Sequence, residues 1–423
     1  MTETDPIRKA WTLLAYTVAD DRSDSGSLDA AVKNELKELC DAADFGELSI
    51  AAQVDFKHTS GVFRASLTTE PPRGRGFEDI DPDDHPLWRT IRDDAENSKL
   101  RLQMDREDLN AARGNVLQEF LRFGRDECPA DRHALVFYGH AYGPMGLFYD
   151  RDSKHRDPNT LRLNDLADSI GSGGGRASVI VFRDCFMNTL ETAAQLADVA
   201  EFVVASQSEI PIAGIWPWLN VIATLMPSAN SRDVARALAM QLSRFLEDPG
   251  NRGPFAEVPL SCLDLSVVGD LLPPLTELVN TLEAARMDPV RSHLCSAAIE
   301  AARIGFPDDH RNPGDPALID VPTMCDNLRR LAPDPVAGPA TAIGDIVRTG
   351  LVQSHHPRMS RYRGTSLYYK PVTAKDIERS FIQAGSEEDA ARDAEAYAQL
   401  ALNRATGWHR IALNPLVPAA SAV

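Results

Sequence analysis

Positive charge is what this 423-residue sequence lacks most. Its 44 Lys and Arg face 62 Asp and Glu, a net charge of −18, and only 8 of the bases are lysine. Proteins that coat nucleic acid or bind anionic membranes need clustered Lys and Arg, so the balance argues against both. Cysteine is scarce as well. Cys40, Cys128, Cys185, Cys262, Cys295 and Cys325 lie far apart, with no CxxC pair. That excludes a zinc knuckle, a thioredoxin-type motif and a small disulfide scaffold. Long apolar runs are missing near the start: the one from Ala10 to Ala19 is too short to span a membrane and has no small-residue cleavage site after it. The expectation is a soluble, reduced, cytoplasmic protein. No GK[ST] occurs, and the glycine run GSGGGR (171–176) precedes a strand instead of following one, so it reads as a connection and not a phosphate loop. Histidines at metal spacing are absent too. His133 and His140 share a strand at odd separation and face opposite ways, while His310, His355 and His356 read as surface residues of polar loops. No metal or other cofactor is expected. Calcium could bind the acidic loop DIDPDD (79–84), although a solvated loop is the commoner case.

What is present is a globular composition, 43% hydrophobic and 25% charged. Apolar runs at 10–19, 48–54, 134–138, 178–182 and 202–205 read as buried strands, and 62–67 as a short edge strand. Helical spacing recurs at 28–39, 109–123, 161–170 and directly after Cys185. Alternation of this kind over about 200 residues predicts an α/β fold, a mostly parallel sheet with helices on both faces. Beyond residue 255 the spacing turns mainly helical (265–285, 320–331, 374–381, 387–403). The expected division is therefore 1–254 and 255–423.

One constellation could carry chemistry. In open α/β sheets reactive groups gather beyond the carboxyl ends of the strands. His140 follows the third buried strand and Cys185 the fourth, so neighbouring strands would bring both to one rim. An imidazole beside a thiol makes thiolate accessible at neutral pH, and a helix starting at Cys185 would favour the anion. Against this, a cysteine is commonly a small core residue.

The run VIVFRDCFMNTLETAAQLADVAEFVVASQSE resembles the nucleophile segment of clostripain-type cysteine peptidases, in the caspase-like group. ALVFYGHAYG is similar to that family's strand ending in the catalytic histidine. RKAWTLLAYTVADD, LSIAAQVDF, GLFYDRDS, LSCLDLS, RGTSLYYKP and TGWHRIAL carry the likeness across residues 8 to 413. The resemblance implies a caspase-like fold and a Cys-His dyad. Cys185 would be the nucleophile and His140 the general acid and base, with the N–H groups of Ala141 and Cys185 holding the oxyanion. Protein or peptide substrates follow. Tyr142 and Trp216 are candidate cleft walls.

Three departures stand out. Ala141 replaces the family's usual glycine, Arg183-Asp184-Cys185 replaces Asp-Ala-Cys, and GIWPW replaces a tighter Gly-Trp-Pro. Strand alternation puts residues 183 and 185 on one face, so Arg183 should look into the primary specificity pocket and favour an acidic or neutral residue before the cut. Asp184 or Glu209 could restore the family's basic preference. The polar stretch Asp150–Asp157 is an exposed processing loop in this reading: if basic residues are accepted, the enzyme cuts itself at Arg151, Lys154 or Arg156, and if Arg183 excludes them, an upstream activating protease cuts or Asp150, Asp152 and Asp157 take over. The alternatives are a pseudopeptidase used as a binding or scaffolding module and another thiol enzyme, such as an acyl transferase.

Overall fold

The computed structural model describes residues 8–19, 32, 39, 48–55, 62–67, 100–105, 110–148, 160–211, 216–225, 229–252, 258–304, 317–332, 334–356, 362–371 and 387–416. Its centre is a nine-stranded sheet. The strands are β1 (Lys9–Val18), β2 (Leu48–Asp55), β3 (Val62–Leu67), β4 (Leu100–Asp105), β5 (Ala130–Tyr138), β6 (Ala177–Phe182), β7 (Ala200–Ser206), β8 (Leu260–Asp264) and β10 (Val352–His356). In space they run β10-β8-β7-β6-β5-β1-β2-β3-β4. The five from β7 to β2 are parallel, and the outer pairs are antiparallel.

The apolar runs are unbroken because both faces of the sheet are covered. Along β1, Leu14, Tyr16 and Val18 enter one core while Trp11, Leu13 and Ala15 enter the other. On the first face lie α1 (Gly114–Glu127), α2 (Leu163–Ser172) and α3 (Leu190–Leu196). On the second, α4 (Ser231–Glu247) buries Val234, Leu238, Leu242 and Leu246 at helical spacing. Each such side chain stabilises the fold by about 1.5–3 kcal/mol, so the two buried layers hold the sheet flat against its helices.

Residues beyond 254 are mainly helical: α5 (Val268–Ala285), α6 (Pro289–Glu300), α7 (Val321–Leu331), α8 (Ala337–Ile346), α9 (Glu387–Ala398) and α10 (Ala401–Thr406). They also hold strands that the spacing did not reveal. β8 and β10 extend the main sheet, and β9 (Leu318–Asp320) pairs with β11 (Ser366–Tyr368). The first core runs without a break from Leu14 to Leu416. β3 is no edge strand, since β4 covers it; β4 was missed because LRLQMD mixes charge into its alternation. His355 and His356 lie on β10, not in a polar loop, and burial lowers the His355 imidazole to about 4 while its Nδ1 meets Ser261 Oγ at 2.9 Å. The expected helix at 374–381 lies outside the described residues. No described helix is long and apolar enough to cross a membrane.

Candidate active site

The sheet reverses its order between β1 and β5, and the crevice beyond the carboxyl ends of such strands is where open α/β sheets bind ligands. β5 and β6 are parallel neighbours, with Phe137 paired to Phe182. His140 and Cys185 each lie three residues past that pair, on one rim.

On the β5 side the chain leaves through Gly139. A Cβ there would stand 2.7 Å from the Phe148 ring and 2.9 Å from the Val18 carbonyl oxygen, so glycine is required. Beyond it, Phe148 N–H donates to His140 O (2.7 Å) and Tyr142 N–H to Gly146 O (2.9 Å). These bonds flank an antiparallel bridge between Ala141 and Leu147 in which the Ala141 N–H takes no part. Ala141 is not among the residues with positive φ, so an alanine in place of glycine brings no strain.

On the β6 side Arg183 N–H still donates to Phe137 O (2.9 Å), and then the chain turns. Phe186 takes the left-handed conformation, φ +62°, a costly choice for a bulky residue. Two bonds to the end of β7 hold it: Phe186 N–H to Ser208 O (3.1 Å) and Asn188 N–H to Ser206 O (3.0 Å). Cys185 is therefore not at a helix N-terminus, as expected from the spacing. α3 begins five residues later, capped by Thr189, whose side chain accepts from Thr192 N–H. The expected dipole assistance is lost with it.

Cys185 is partly exposed, and its sulfur accepts from Ile210 N–H at 3.3 Å. Burial pushes the thiol up to about 12; Glu209 and Asp184 add to the rise, and the Ile210 N–H opposes it.

The expectation that Arg183 shares a face with Cys185 rests on strand alternation. That alternation stops at Phe182, the end of β6, so it does not fix the face of either residue. Arg183 is 2% exposed, its guanidinium 4.0 Å from the centre of the Tyr138 ring and 5.0 Å from that of Trp216. Trp216 is buried against Trp218 and Arg183, a cover more than an open wall. Asp184 is fully buried, and no donor reaches hydrogen-bonding geometry with either carboxyl oxygen. Burial raises this carboxyl well above the usual range, against the nearby Arg183 charge and Gly139 N–H. Glu209 is half-buried, and Tyr142 likewise. The loop Asp150–Asp157, with Arg151, Lys154 and Arg156, and the acidic loop 79–84 lie outside the described residues.

Sequence reasoning missed Tyr138, Phe186 and Ile210. Tyr138 reads as strand core, a positive φ leaves no mark in a phenylalanine, and Ile210 acts through its backbone. Among the described residues no three or more His, Cys, Asp or Glu gather as metal ligands.

Three solved structures resemble this fold. A secreted C11 cysteine protease from Bacteroides thetaiotaomicron, in complex with an irreversible peptide inhibitor, is 15% identical at a TM-score of 0.60, covering 95% of this chain and 99% of its own. An inactive zymogen C11 protease from Parabacteroides distasonis is 17% identical at 0.60, with the same coverage. A further structure of a secreted protease from Bacteroides thetaiotaomicron, called iotapain, is 13% identical at 0.61 and covers 95% and 100%. At these identities the likeness establishes the caspase-like fold. A search of curated proteins finds no match. A family model described as the clostripain family matches residues 15–312, well over half the chain. A thiol and an imidazole on one rim of this fold thus sit in a protein that belongs to the clostripain family, a cysteine peptidase acting on protein or peptide substrates.

Proposed function

We propose that Cys185 and His140 form the catalytic dyad of an endopeptidase held in a resting state. The observation that carries this is the β5–β6 register, which sets both residues at the same offset past a paired position. Cys185 Sγ, once deprotonated, attacks the scissile carbonyl carbon. The N–H groups of Ala141 and Cys185 receive the oxyanion. His140 then gives its proton to the leaving amine, an acyl-enzyme forms, and His140 takes a proton from the water that releases the acid. No metal or cofactor enters these steps.

The resting state is read from the Cys185 sulfur, which is tied to the Ile210 N–H (3.3 Å) while burial shifts it towards the thiol form. Attack requires the thiolate, so the rim must rearrange first. A cut between Asp150 and Asp157 supplies that change: the segment begins about ten residues past His140, and reordering one segment is enough to switch a site. One structural neighbour is named an inactive zymogen, which supports the idea for the fold. The working compartment in this reading is the cytoplasm, consistent with the free thiols of Cys128, Cys185, Cys262, Cys295 and Cys325.

Before the scissile bond the enzyme prefers an acidic or neutral residue. Arg183 fills the position where the family carries an acid, and a substrate carboxylate would pair with its guanidinium once the same rearrangement of the rim uncovers it from beneath Trp216. Asp184 is fully buried, and burial raises its carboxyl, which disfavours the anion that a basic substrate would need. Glu209 is the remaining acid near the thiol. A peptide-library digest, wild type beside Cys185→Ala, tests the reading. Cuts after Asp, Glu or neutral residues, absent in the variant, support it. Cuts only after Arg and Lys refute the specificity and point to Glu209, and equal digestion by the variant refutes the dyad. N-terminal sequencing of active enzyme tests the resting state: an unbroken, fully active chain ends it.

A further inference from the structure

A buried polar cluster lies on the far side of the Cys185 turn, and the dyad itself does not use it. Its members are Asn188, Gln207, Asp320 and Ser366, all 0% exposed. They come from the turn, the end of β7, the end of β9 and the start of β11. At their centre is Gly364. Its N–H donates to Gln207 Oε1 (2.9 Å), and its carbonyl accepts from Asn188 Nδ2 (2.8 Å). Gln207 Nε2 donates to Ser366 Oγ (2.9 Å) and to Asp320 Oδ2 (3.1 Å). Asp320 Oδ2 also accepts from Arg363 N–H (2.7 Å) and Oδ1 from Thr323 N–H (2.9 Å). Ser366 N–H donates to Asn188 O (3.1 Å), next to a bridge between Thr189 and Ser366.

These bonds explain how a strained turn is kept. Phe186 holds its left-handed conformation only if its flanks are over-determined. β7 fixes one flank through Ser206 and Ser208, and the C-terminal segment fixes the other through Asn188. Gly364 suits the junction because its φ is +133° and a Cβ would stand 2.7 Å from the Val352 side chain. A thiol must meet a carbonyl carbon within a few tenths of an ångström of its best line, so its turn needs such a frame.

We propose that Asn188 and Gln207 are positioning residues that, through Gly364, make the segment 362–366 set the reactive geometry of Cys185. The proposal rests on Cys185 being the nucleophile. It assigns residues beyond 254 a part in catalysis that no contact with substrate requires.

Steady-state kinetics on activated enzyme, together with mass-spectrometric iodoacetamide labelling, tests it. Gln207→Leu removes one clamp from the β7 side, and Gly364→Ala displaces it from the C-terminal side. Both are expected to lower kcat by about tenfold or more with KM within about twofold, because binding is kept and alignment is lost. Labelling at Cys185 should change by a similar factor while Cys128, Cys262, Cys295 and Cys325, all buried, stay protected. Ser366→Ala, a milder cut at the Gln207 bond, gives the same signs at smaller size should either variant fail to fold. Unchanged kcat in a folded variant overturns the proposal. So does a loss of kcat accompanied by labelling at all the buried cysteines, which marks general loosening. If Cys185→Ala keeps its activity, the parent reading falls instead, and the two failures are told apart.

Discussion

Asp184 and Asp320 are both fully buried carboxyls within reach of one loop, and burial raises both. Their surroundings differ. Asp320 accepts from three donors, Thr323 N–H, Arg363 N–H and Gln207 Nε2, and anchors β9 to the C-terminal segment. Asp184, beside the thiol, has the Gly139 N–H and the Arg183 charge nearby, but neither reaches bonding geometry with its oxygens. A satisfied buried network fixes one arrangement, whereas an unsatisfied group costs free energy in the state that contains it. On the proposed resting state, the anchor is the part that stays and the rim the part that changes.

The largest effect that can break this contrast is on activity. Cys185→Ala and His140→Ala should each lower turnover by about a thousandfold or more with an unaltered circular-dichroism spectrum, read on a fluorogenic peptide drawn from the library digest. Next comes thiol reactivity in the uncut chain. With the thiol moved from its ordinary value of 9.0 to about 12, iodoacetamide labelling of Cys185 should keep climbing through pH 10. At pH 8 that amounts to up to about a thousandfold less thiolate than an unshifted thiol offers. After activation the climb should level off at lower pH. A plateau below pH 9 in uncut protein would show that the rim is already in its working state.

Stability tests sharpen the same contrast. Asp320→Ala leaves three buried donors without their acceptor and should cost about 3 kcal/mol or more in urea denaturation. Asp184→Asn should do the reverse. A carboxyl raised in the fold contributes its full stability below the unfolded value of about 3.9 and loses it as pH rises towards the raised one. The variant, free of that loss, should exceed wild type at pH 8, with the advantage vanishing towards pH 4. Equal losses from both substitutions would erase the distinction between rim and anchor. The smallest effect expected is that of chelation: EDTA or added calcium should move the rate of activated enzyme by less than about twofold, and a larger response would bring the acidic loop 79–84 into the mechanism.

The parallel strands were legible because a strand covered on both faces must be apolar throughout, as KAWTLLAYTV is. The rim was legible for the same reason, since His140 and Cys185 mark where two such runs stop. β8 and β10 were not: LSCLD and VQSHH are five residues each, with polar side chains at antiparallel positions. The helix expected directly after Cys185 failed because Met187 keeps helical spacing with Leu190 while the backbone between them turns at Phe186. The face that Arg183 takes could not be read, since alternation holds only while the strand lasts. The Gln207–Gly364–Asn188 clamp joins residues far apart in sequence, and no local spacing encodes such a meeting.

The β5–β6 ladder has a consequence for a chain cut between Asp150 and Asp157. The scission would leave β1, β2 and β5, with His140, on one piece and β6, β7 and β8, with Cys185, on the other. The seam would pass through the parallel pairing of Ala134–Phe137 with Val179–Phe182, so neither fragment alone would hold both reactive groups. Folding, unimolecular in the intact chain, would become bimolecular, and its midpoint would depend on concentration. A cut enzyme that unfolds in dilute solution would then stay unfolded, which makes the uncut chain the form that can be stored and the cut chain one with a finite life.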